Sequence, residues 1–122
     1  MCSNETLDDF NIKLCDFGFS TFFDSKKKMS LSLGSPLYMA PEIHRDEEYD
    51  ERVDVWSLGV ITYILLHGKP PYLFNSEKDM VNAIMSKEII YDKKDWSKLS
   101  PAALSFVKLC LNRDAKNRAS VS

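Results

Sequence analysis

The chain contains 122 residues, of which 44% are hydrophobic and 28% are charged, and its formal net charge is −2 at pH 7. This balance is typical of a soluble globular domain and excludes a disordered chain. Nucleic-acid binding favours a clustered basic face, so no nucleic-acid partner is expected for this weakly acidic chain. The longest apolar run, Leu58–Leu66, is much shorter than the roughly 20 residues that cross a bilayer, so no membrane span is expected.

Three cysteines are scattered through the chain, at positions 2, 15 and 110. An odd, widely spaced set favours a reducing compartment over a disulfide framework or a zinc site. We therefore expect a cytoplasmic protein, and the polar, acidic start Met1–Asp9 does not resemble a signal peptide. Cys15 and Cys110 are expected to be buried small hydrophobes.

The first part of the chain is predicted to form a short strand followed by a loop. Asn11–Cys15 alternates polar and apolar residues, which indicates a strand that leads directly into Asp16-Phe17-Gly18. From Phe19 to Leu33 there is no helical periodicity, which predicts a long loop, and long loops in compact domains are usually functional. The basic run Lys26–Lys28 is expected at a solvated loop tip.

A long helix is predicted from about Glu51 to His67. Asp50 is a good N-cap for it, and Gly68 follows its last residue. Apolar side chains point in nearly every direction around the axis of this helix. A helix that is apolar all round is normally buried on all sides.

Two further helices follow. Ser76 is predicted to cap one of them, with Asp79 three residues later as a variant capping box. Ser100-Pro101 is an N-cap followed by Pro at the first helical position of the other. One apolar stripe follows Ser100-Pro101: Ala103, Leu104, Val107, Cys110 and Leu111. The chain is therefore expected to be mainly α-helical, with one short strand and a long loop before the helices.

Four short motifs occur in a defined order along the chain: Asp16–Gly18, Gly34–Glu42, Asp54–Gly59 and Asn112–Arg118. Each has an ordinary structural interpretation when taken alone. Asp16 would be a turn residue after a strand, Ser35 a turn residue, and Asp54 a first-turn acid favoured by the helix dipole. Glu42 and Arg118 would be solvated charges. Independent motifs in the same order are far less common by chance.

Together the motifs resemble the C-terminal half of a eukaryotic Ser/Thr protein kinase domain, and the resemblance covers almost the whole chain. It implies a portion of the C-terminal lobe of an α+β kinase domain. Residues 16–42 would be the activation segment and residues 43–122 the helical C-lobe. The N-lobe and the catalytic loop, with the catalytic Asp and Lys, would lie upstream of Met1.

Within the kinases, Tyr49–Tyr72 is most similar to the calcium/calmodulin-dependent kinase group, calcium-dependent protein kinase type. Gly34–Met39 is also similar to autophagy-initiating kinases. The resemblance implies ATP and Mg²⁺ as cofactors of the full-length enzyme. It also implies protein substrates with Ser or Thr, and a calcium/calmodulin-type regulatory module as a partner.

The resemblance assigns roles to residues around the nucleotide and the substrate. Asp16 would bind Mg²⁺, because a hard divalent cation prefers carboxylate oxygen. Phe17 and Gly18 would complete the cofactor-binding motif, with the Phe packed into the core. Ser35 would support the catalytic Asp. Four consecutive residues would contact the substrate: Ser35, Pro36, Leu37 and Tyr38.

Other roles implied by the resemblance are structural or regulatory. Glu42 would pair with Arg118, and Asp54 would accept backbone N–H bonds from the catalytic loop. Trp56 would be a structural residue of the central helix. Ser30 and Ser32, in the loop ahead of Gly34, are candidate phosphorylation sites.

Two hypotheses about function follow. In the first, the chain is part of an active Ser/Thr kinase and is inactive by itself, because phosphoryl transfer depends on groups that lie upstream. In the second, it is a short non-catalytic kinase-like protein that acts as a binding or interaction module.

Overall fold

The computed structural model describes residues 12–24 and 26–121. In this part of the chain two short 3₁₀ helices precede a set of α-helices. The 3₁₀ helices are Phe17–Phe19 and Pro36–Tyr38. The α-helices are α1 (Pro41–His44), α2 (Arg52–His67), α3 (Glu77–Ser86), α4 (Lys93–Trp96) and α5 (Pro101–Cys110). The expected mainly α class is confirmed.

The short strand predicted before Asp16 is not formed by the described residues. Residues 12–15 are exposed and have no secondary structure, while Asn11 lies outside the described residues. A strand needs a neighbour for its backbone N–H and C=O groups, and no described segment pairs with this one. Cys15 is exposed too, so its predicted burial was wrong. Cys110 is buried as expected, and burial raises the pKa of its thiol.

Helix α2 is the longest described helix, with 16 residues. Glu51 is its N-cap, one residue later than predicted, while the Asp50 carboxylate accepts a hydrogen bond from the Arg52 N–H at 3.2 Å. At the other end Gly68 has a φ of 77°, and its N–H donates to the Ile64 carbonyl at 2.7 Å. The left-handed conformation explains why Gly stands here. No described helix is long and apolar enough to cross a membrane.

The predicted caps of α3 and α5 are formed. The Ser76 Oγ accepts a hydrogen bond from the Asp79 N–H at 3.1 Å and donates its own proton to the Asp79 carboxylate at 2.8 Å. The Ser100 Oγ accepts from the Ala103 N–H at 3.1 Å, and Pro101 occupies the first helical position. Local sequence therefore sets the start of both helices.

The hydrophobic core is built around one face of α2. Its best-buried large side chains come from three helices: Trp56 and Val60 of α2, Ile84 of α3, and Val107 of α5. Helix α2 crosses α5 at Gly59, where a Cβ atom would lie 2.7 Å from the Cys110 Cβ and 2.9 Å from the Leu111 Cδ2. Gly at this position lets the two helices approach closely.

The opposite face of α2 is not covered by the described residues. Leu58, Ile61 and Leu65 are 49%, 45% and 79% exposed. Their spacing places them on one stripe of the helix. The prediction that α2 is buried on all sides was therefore wrong for this part of the chain, because no described element packs against the stripe.

We predict that Gly59→Ala destabilises the chain although Ala is the better helix former. Overpacking costs about 1–3 kcal/mol, and the intrinsic gain of Ala over Gly is roughly 0.5–1 kcal/mol. Urea unfolding followed by Trp fluorescence should show a lower midpoint. Leu65→Ala, at a mostly exposed position of the same helix, is the control and should change the free energy of unfolding by less than about 0.5 kcal/mol. A higher midpoint for Gly59→Ala would contradict the close approach of α2 and α5.

Candidate functional site

A cleft of about 640 Å³ lies between the N-terminal segment of the described chain and the first turns of α2. Three carboxylates line it, those of Asp16, Glu51 and Asp54, and no Lys or Arg is among its lining residues. The remaining wall is largely apolar, with Met29, Leu33 and other hydrophobic side chains. We call this feature the acidic cleft.

Asp16, Phe17 and Gly18 belong to the exposed segment of residues 12–24. Asp16 has a φ of 64°, and the 3₁₀ helix starts at the next residue. A left-handed Asp is uncommon, and Asp tolerates this conformation better than most residues. Phe17 is 67% exposed, so the core packing implied for it is not made by the described residues. No described element is close enough to cover its ring.

Asp16 and Gly18 both line the acidic cleft. The Asp16 carboxylate is a suitable oxygen donor for Mg²⁺. However, no group of three or more His, Cys, Asp or Glu side chains in the described part of the chain could hold a metal ion. The described residues therefore do not bring three such ligands together at Asp16.

The segment from Gly34 to Tyr38 contributes another part of the cleft wall, through Gly34, Ser35 and Tyr38. Gly34 has a φ of 117°, a conformation that strongly favours Gly, and Ser35 is the exposed N-cap of the Pro36–Tyr38 3₁₀ helix. Leu37 is half-buried against the core, whereas Tyr38 is 36% exposed. The four residues predicted to contact the substrate thus form one short helical turn and its cap.

Two side chains hold this turn against the helices, and the sequence analysis identified neither. His44 of α1 donates a hydrogen bond from Nε2 to the Pro36 carbonyl at 2.9 Å. Ser57 of α2 donates to the Tyr38 carbonyl at 2.8 Å, with the Val53 carbonyl as an alternative acceptor at 3.2 Å. These are contacts to backbone atoms from distant positions, and no local pattern in the sequence indicates them.

Glu42 and Arg118 form a buried, bidentate ion pair. The Arg118 Nη1 lies 2.6 Å from the Glu42 Oε1, and Nη2 lies 2.9 Å from Oε2. The side chains are 0% and 8% exposed for Arg118 and Glu42, respectively. The guanidinium also donates to the carbonyls of Asn112 and Arg52, and it stacks over the Trp56 ring at 5.2 Å from the centroid. The pair ties the end of the cleft wall to the C-terminal part of the chain.

Trp56 and Asp54 lie on opposite sides of α2. Trp56 is 1% exposed and belongs to the core. Asp54 is exposed at the cleft, where no donor from the described residues reaches its carboxylate. The surrounding protein removes part of its hydration, and this desolvation raises the pKa of the Asp54 carboxyl above its ordinary value.

Arg113 is a further residue that the sequence analysis did not identify. Its guanidinium donates to the Met85 carbonyl at 2.9 Å, to the Lys87 carbonyl, and to the Tyr72 hydroxyl at 3.3 Å. A cation at the C-terminal end of a helix is favoured by the helix dipole, so Arg113 stabilises the end of α3. The position of Arg113 within the Asn112–Arg118 motif was the only feature of the sequence that could have identified it.

Comparison with known proteins gives a family for this arrangement. The family model for the protein kinase domain matches residues 1–122. The chain is 40% identical over 111 residues to calcium-dependent protein kinase 9 of Oryza sativa subsp. japonica, covering 91% of the chain and 19% of that protein. It is 37% identical over 110 residues to calcium/calmodulin-dependent protein kinase type I of Schizosaccharomyces pombe, covering 88% and 33%.

A probable myosin light chain kinase of Dictyostelium discoideum is 36% identical over 118 residues, covering 97% of the chain and 34% of that protein. The chain thus spans about a fifth to a third of the length of these relatives.

We predict that Glu42→Gln strongly destabilises the chain. The substitution leaves the Arg118 cation buried without a counter-charge, which typically costs about 3–5 kcal/mol. The matched control is Glu47→Gln, which removes a carboxylate 3.5 Å from Arg45 in a pair whose side chains are 39% and 51% exposed. An exposed pair contributes less than about 1 kcal/mol. Equal shifts of the urea midpoint for the two variants would refute a structural role of the buried pair.

We predict that Asp54→Asn stabilises the chain at neutral pH. The pKa of Asp54 is higher in the folded chain than the reference value of 3.8. The protonated Asp54 carboxyl therefore favours the folded chain below pH 3.8. This contribution to the free energy of unfolding is lost as the pH rises through the pKa of Asp54 in the folded chain. The advantage of Asn should appear at pH 7 and disappear below about pH 3.8.

The control for Asp54→Asn is Glu77→Gln, which removes a first-turn acid of α3 that only the helix dipole favours. It should lower stability slightly at pH 7, the opposite sign. Thermal unfolding of both variants at pH 7 and pH 3 makes the comparison. If the Asp54→Asn variant is less stable than the unchanged chain at pH 7, desolvation of the Asp54 carboxylate does not lower the stability of the folded chain.

Proposed function

Because this chain belongs to the protein kinase family, we propose that it is part of a Ser/Thr kinase of the calcium/calmodulin-dependent group. The whole enzyme would transfer the γ-phosphoryl group of ATP to Ser or Thr hydroxyls of protein substrates. The observation that carries the proposal is the turn Ser35–Tyr38, which is held by hydrogen bonds and whose two end residues line the acidic cleft together with Asp16 and Asp54. Relatives named as calcium-dependent and calcium/calmodulin-dependent kinases support the subgroup.

In this proposal residues 16–42 are the activation segment and residues 43–122 are helical C-lobe. Protein kinases use ATP and Mg²⁺, and the bound ion neutralises charge on the phosphate oxygens. Asp16 would supply one carboxylate ligand, and the remaining ligands would come from the nucleotide and from parts of the kinase outside this chain. Phosphoryl transfer is mostly positioning and electrostatics, so one ligand does not suffice.

The turn Ser35–Tyr38 would support the peptide substrate. Ser35 is exposed at the cleft, where its hydroxyl is free to interact with the catalytic Asp of the complete enzyme. Leu37 and Tyr38 would form the floor beneath the residue that follows the phosphorylated hydroxyl. The hydrogen bonds from His44 and Ser57 support this role, because they hold the backbone of the turn in one place.

Ser30 and Ser32 are proposed phosphorylation sites of the whole kinase. Both are exposed on the segment ahead of Gly34. A phosphate adds about −1.5 to −2 charge and can order a loop against basic side chains. Lys26 and Lys27 lie close by in sequence and would supply those charges, whereas the neighbouring Lys28 is paired with Asp50. The cysteine usage supports a cytoplasmic location, and the relatives' names support a calcium/calmodulin-type regulatory module.

The alternative is a non-catalytic kinase-like module. The exposed stripe of Leu58, Ile61 and Leu65 favours it, because an uncovered apolar stripe of this kind suits contact with another protein. The stripe is also compatible with packing against the rest of a kinase domain. Phosphate transfer by the complete protein separates the two hypotheses.

We predict that the 122-residue chain alone, with Mg-ATP and a serine peptide, transfers no phosphate above a buffer control. The complete kinase that contains this segment should be active. Asp16→Ala in that kinase should lower kcat/KM at least about a hundredfold, because metal-bound charge stabilisation contributes several kcal/mol. Glu77→Ala, an exposed change on α3, should leave activity within about twofold. Full activity of the Asp16→Ala kinase would refute the role of Asp16 as an Mg²⁺ ligand.

A further inference from the structure

The segment ahead of the substrate turn is attached to the body of the protein at one place. Among the described residues from 12 to 35, all are exposed except Met29, which is half-buried. A segment with so little buried surface depends on a few specific contacts for its position. The contacts around Met29 therefore decide where this part of the chain lies.

Backbone hydrogen bonds form the centre of this attachment. The Met29 N–H donates to the Tyr49 carbonyl at 3.0 Å, and the Tyr49 N–H donates to the Met29 carbonyl at 2.9 Å. The two residues make an isolated antiparallel bridge, with no other β pairing in residues 12–24 and 26–121. Such a bridge lacks the cooperative support of a sheet, so side chains must contribute to its stability.

Two side-chain contacts flank the bridge. The Lys28 Nζ lies 2.6 Å from the Asp50 Oδ2, and the Tyr49 hydroxyl donates to the Leu31 carbonyl at 2.6 Å. Partial burial opposes ionisation of Asp50, but the hydrogen bond from Lys28, the Arg52 N–H and the two cations lower the pKa of its carboxyl. We call the bridge and these two contacts the segment anchor.

The segment anchor is connected to α2. Asp50 accepts both the Lys28 ammonium and the N–H of Arg52, the first residue of α2. The other end of the segment is fixed to the same helix, because Ser57 donates to the Tyr38 carbonyl. Only residues 32–37, which include Ser35, separate the two attachment points at Leu31 and Tyr38. A trans peptide chain spans at most about 3.6 Å per residue, so moving Leu31 must move Ser35 or straighten the chain between them.

We propose that the segment anchor positions the peptide-binding turn of the kinase, with Lys28 and Tyr49 as positioning residues that do not touch the substrate. This inference rests on the proposed function, because the turn binds a peptide only in a kinase. The Tyr49 ring packs against the core, but the anchor contacts themselves are an ion pair and hydrogen bonds near the surface. Its loss therefore changes the position of Ser35, at the end of the turn that His44 and Ser57 do not contact, without unfolding α2.

The first test measures the anchor in the 122-residue chain by amide hydrogen exchange. Tyr49→Phe removes only the hydroxyl, and Lys28→Met removes only the charge. Each should speed exchange at Met29 and Tyr49 about three- to tenfold, the effect of losing one hydrogen bond. The matched controls are Tyr91→Phe and Lys27→Met, which make the same chemical changes at side chains that form no bond to the anchor residues and should leave these two amides unchanged.

The second test measures peptide phosphorylation by the complete kinase that carries the segment, with a serine-containing model peptide. The anchor variants should raise KM for the peptide about three- to tenfold, with kcat and KM for ATP within about twofold. A general loss of folded protein would lower kcat instead. Unchanged peptide KM in both variants would overturn the positioning role, even if exchange is faster.

The two tests separate failure of the inference from failure of the proposed function. A wild-type kinase that transfers no phosphate refutes the proposed function and, with it, the role of the anchor in substrate binding. Equal exchange rates in wild type and anchor variants refute the anchor itself and leave the kinase assignment standing.

Discussion

Arg118 is a cation with no exposed side-chain surface, and the protein around it must satisfy every one of its donors. Removing a guanidinium from water is costly unless a counter-charge and further acceptors replace the lost hydration. Glu42 supplies the charge, and the carbonyls of Asn112 and Arg52 supply acceptors. The pair therefore brings together three regions: the end of the cleft wall, the first residue of α2 and the C-terminal motif. Each region loses its position if another moves.

The same pair explains why the two walls of the acidic cleft differ. The wall formed by residues 34–42 ends at Glu42 and is held by His44 and Ser57, so its backbone is fixed at several points. Residues 12–24, which carry Asp16, make no comparable hydrogen bonds to the described helices and are exposed throughout. Binding sites often combine a rigid surface with a part that can adjust. In this protein the rigid surface is the proposed peptide-binding side, and the adjustable side carries the proposed metal ligand.

Local sequence patterns predicted the local features of the fold well. The caps at Ser76 and Ser100 are short-range interactions between neighbouring residues, so the sequence contains all the information they need. The strand before Asp16 was predicted wrongly, because alternation reports a possible strand and not the presence of a pairing partner. The burial of α2 was overestimated for a similar reason. Apolar residues around a helix show what it can bury, and the neighbours decide what it does bury.

The contacts within the site also divide into those that local sequence predicts and those that depend on distant residues. The resemblance implied separate roles for Asp16, Ser35 and Asp54, and the structure places all three along the acidic cleft. Tyr49 was not singled out, because its partners lie about 20 residues away in an irregular loop. Its contacts involve backbone atoms, which are identical in every residue type. Contacts of this kind leave almost no trace in a single sequence.

The Ser57 hydroxyl has one proton and two carbonyls within reach, at 2.8 Å on Tyr38 and 3.2 Å on Val53. It can donate to only one of them at a time. Rotation of the hydroxyl toward the Val53 carbonyl frees the Tyr38 carbonyl and leaves no polar group unsatisfied, because that carbonyl can then accept from water. The energy difference between the two arrangements is then much smaller than the cost of breaking an ordinary hydrogen bond. Ser57 can therefore loosen its hold on the Tyr38 end of the turn by rotating one hydroxyl group, while the His44 hydrogen bond to Pro36 keeps the other end in place.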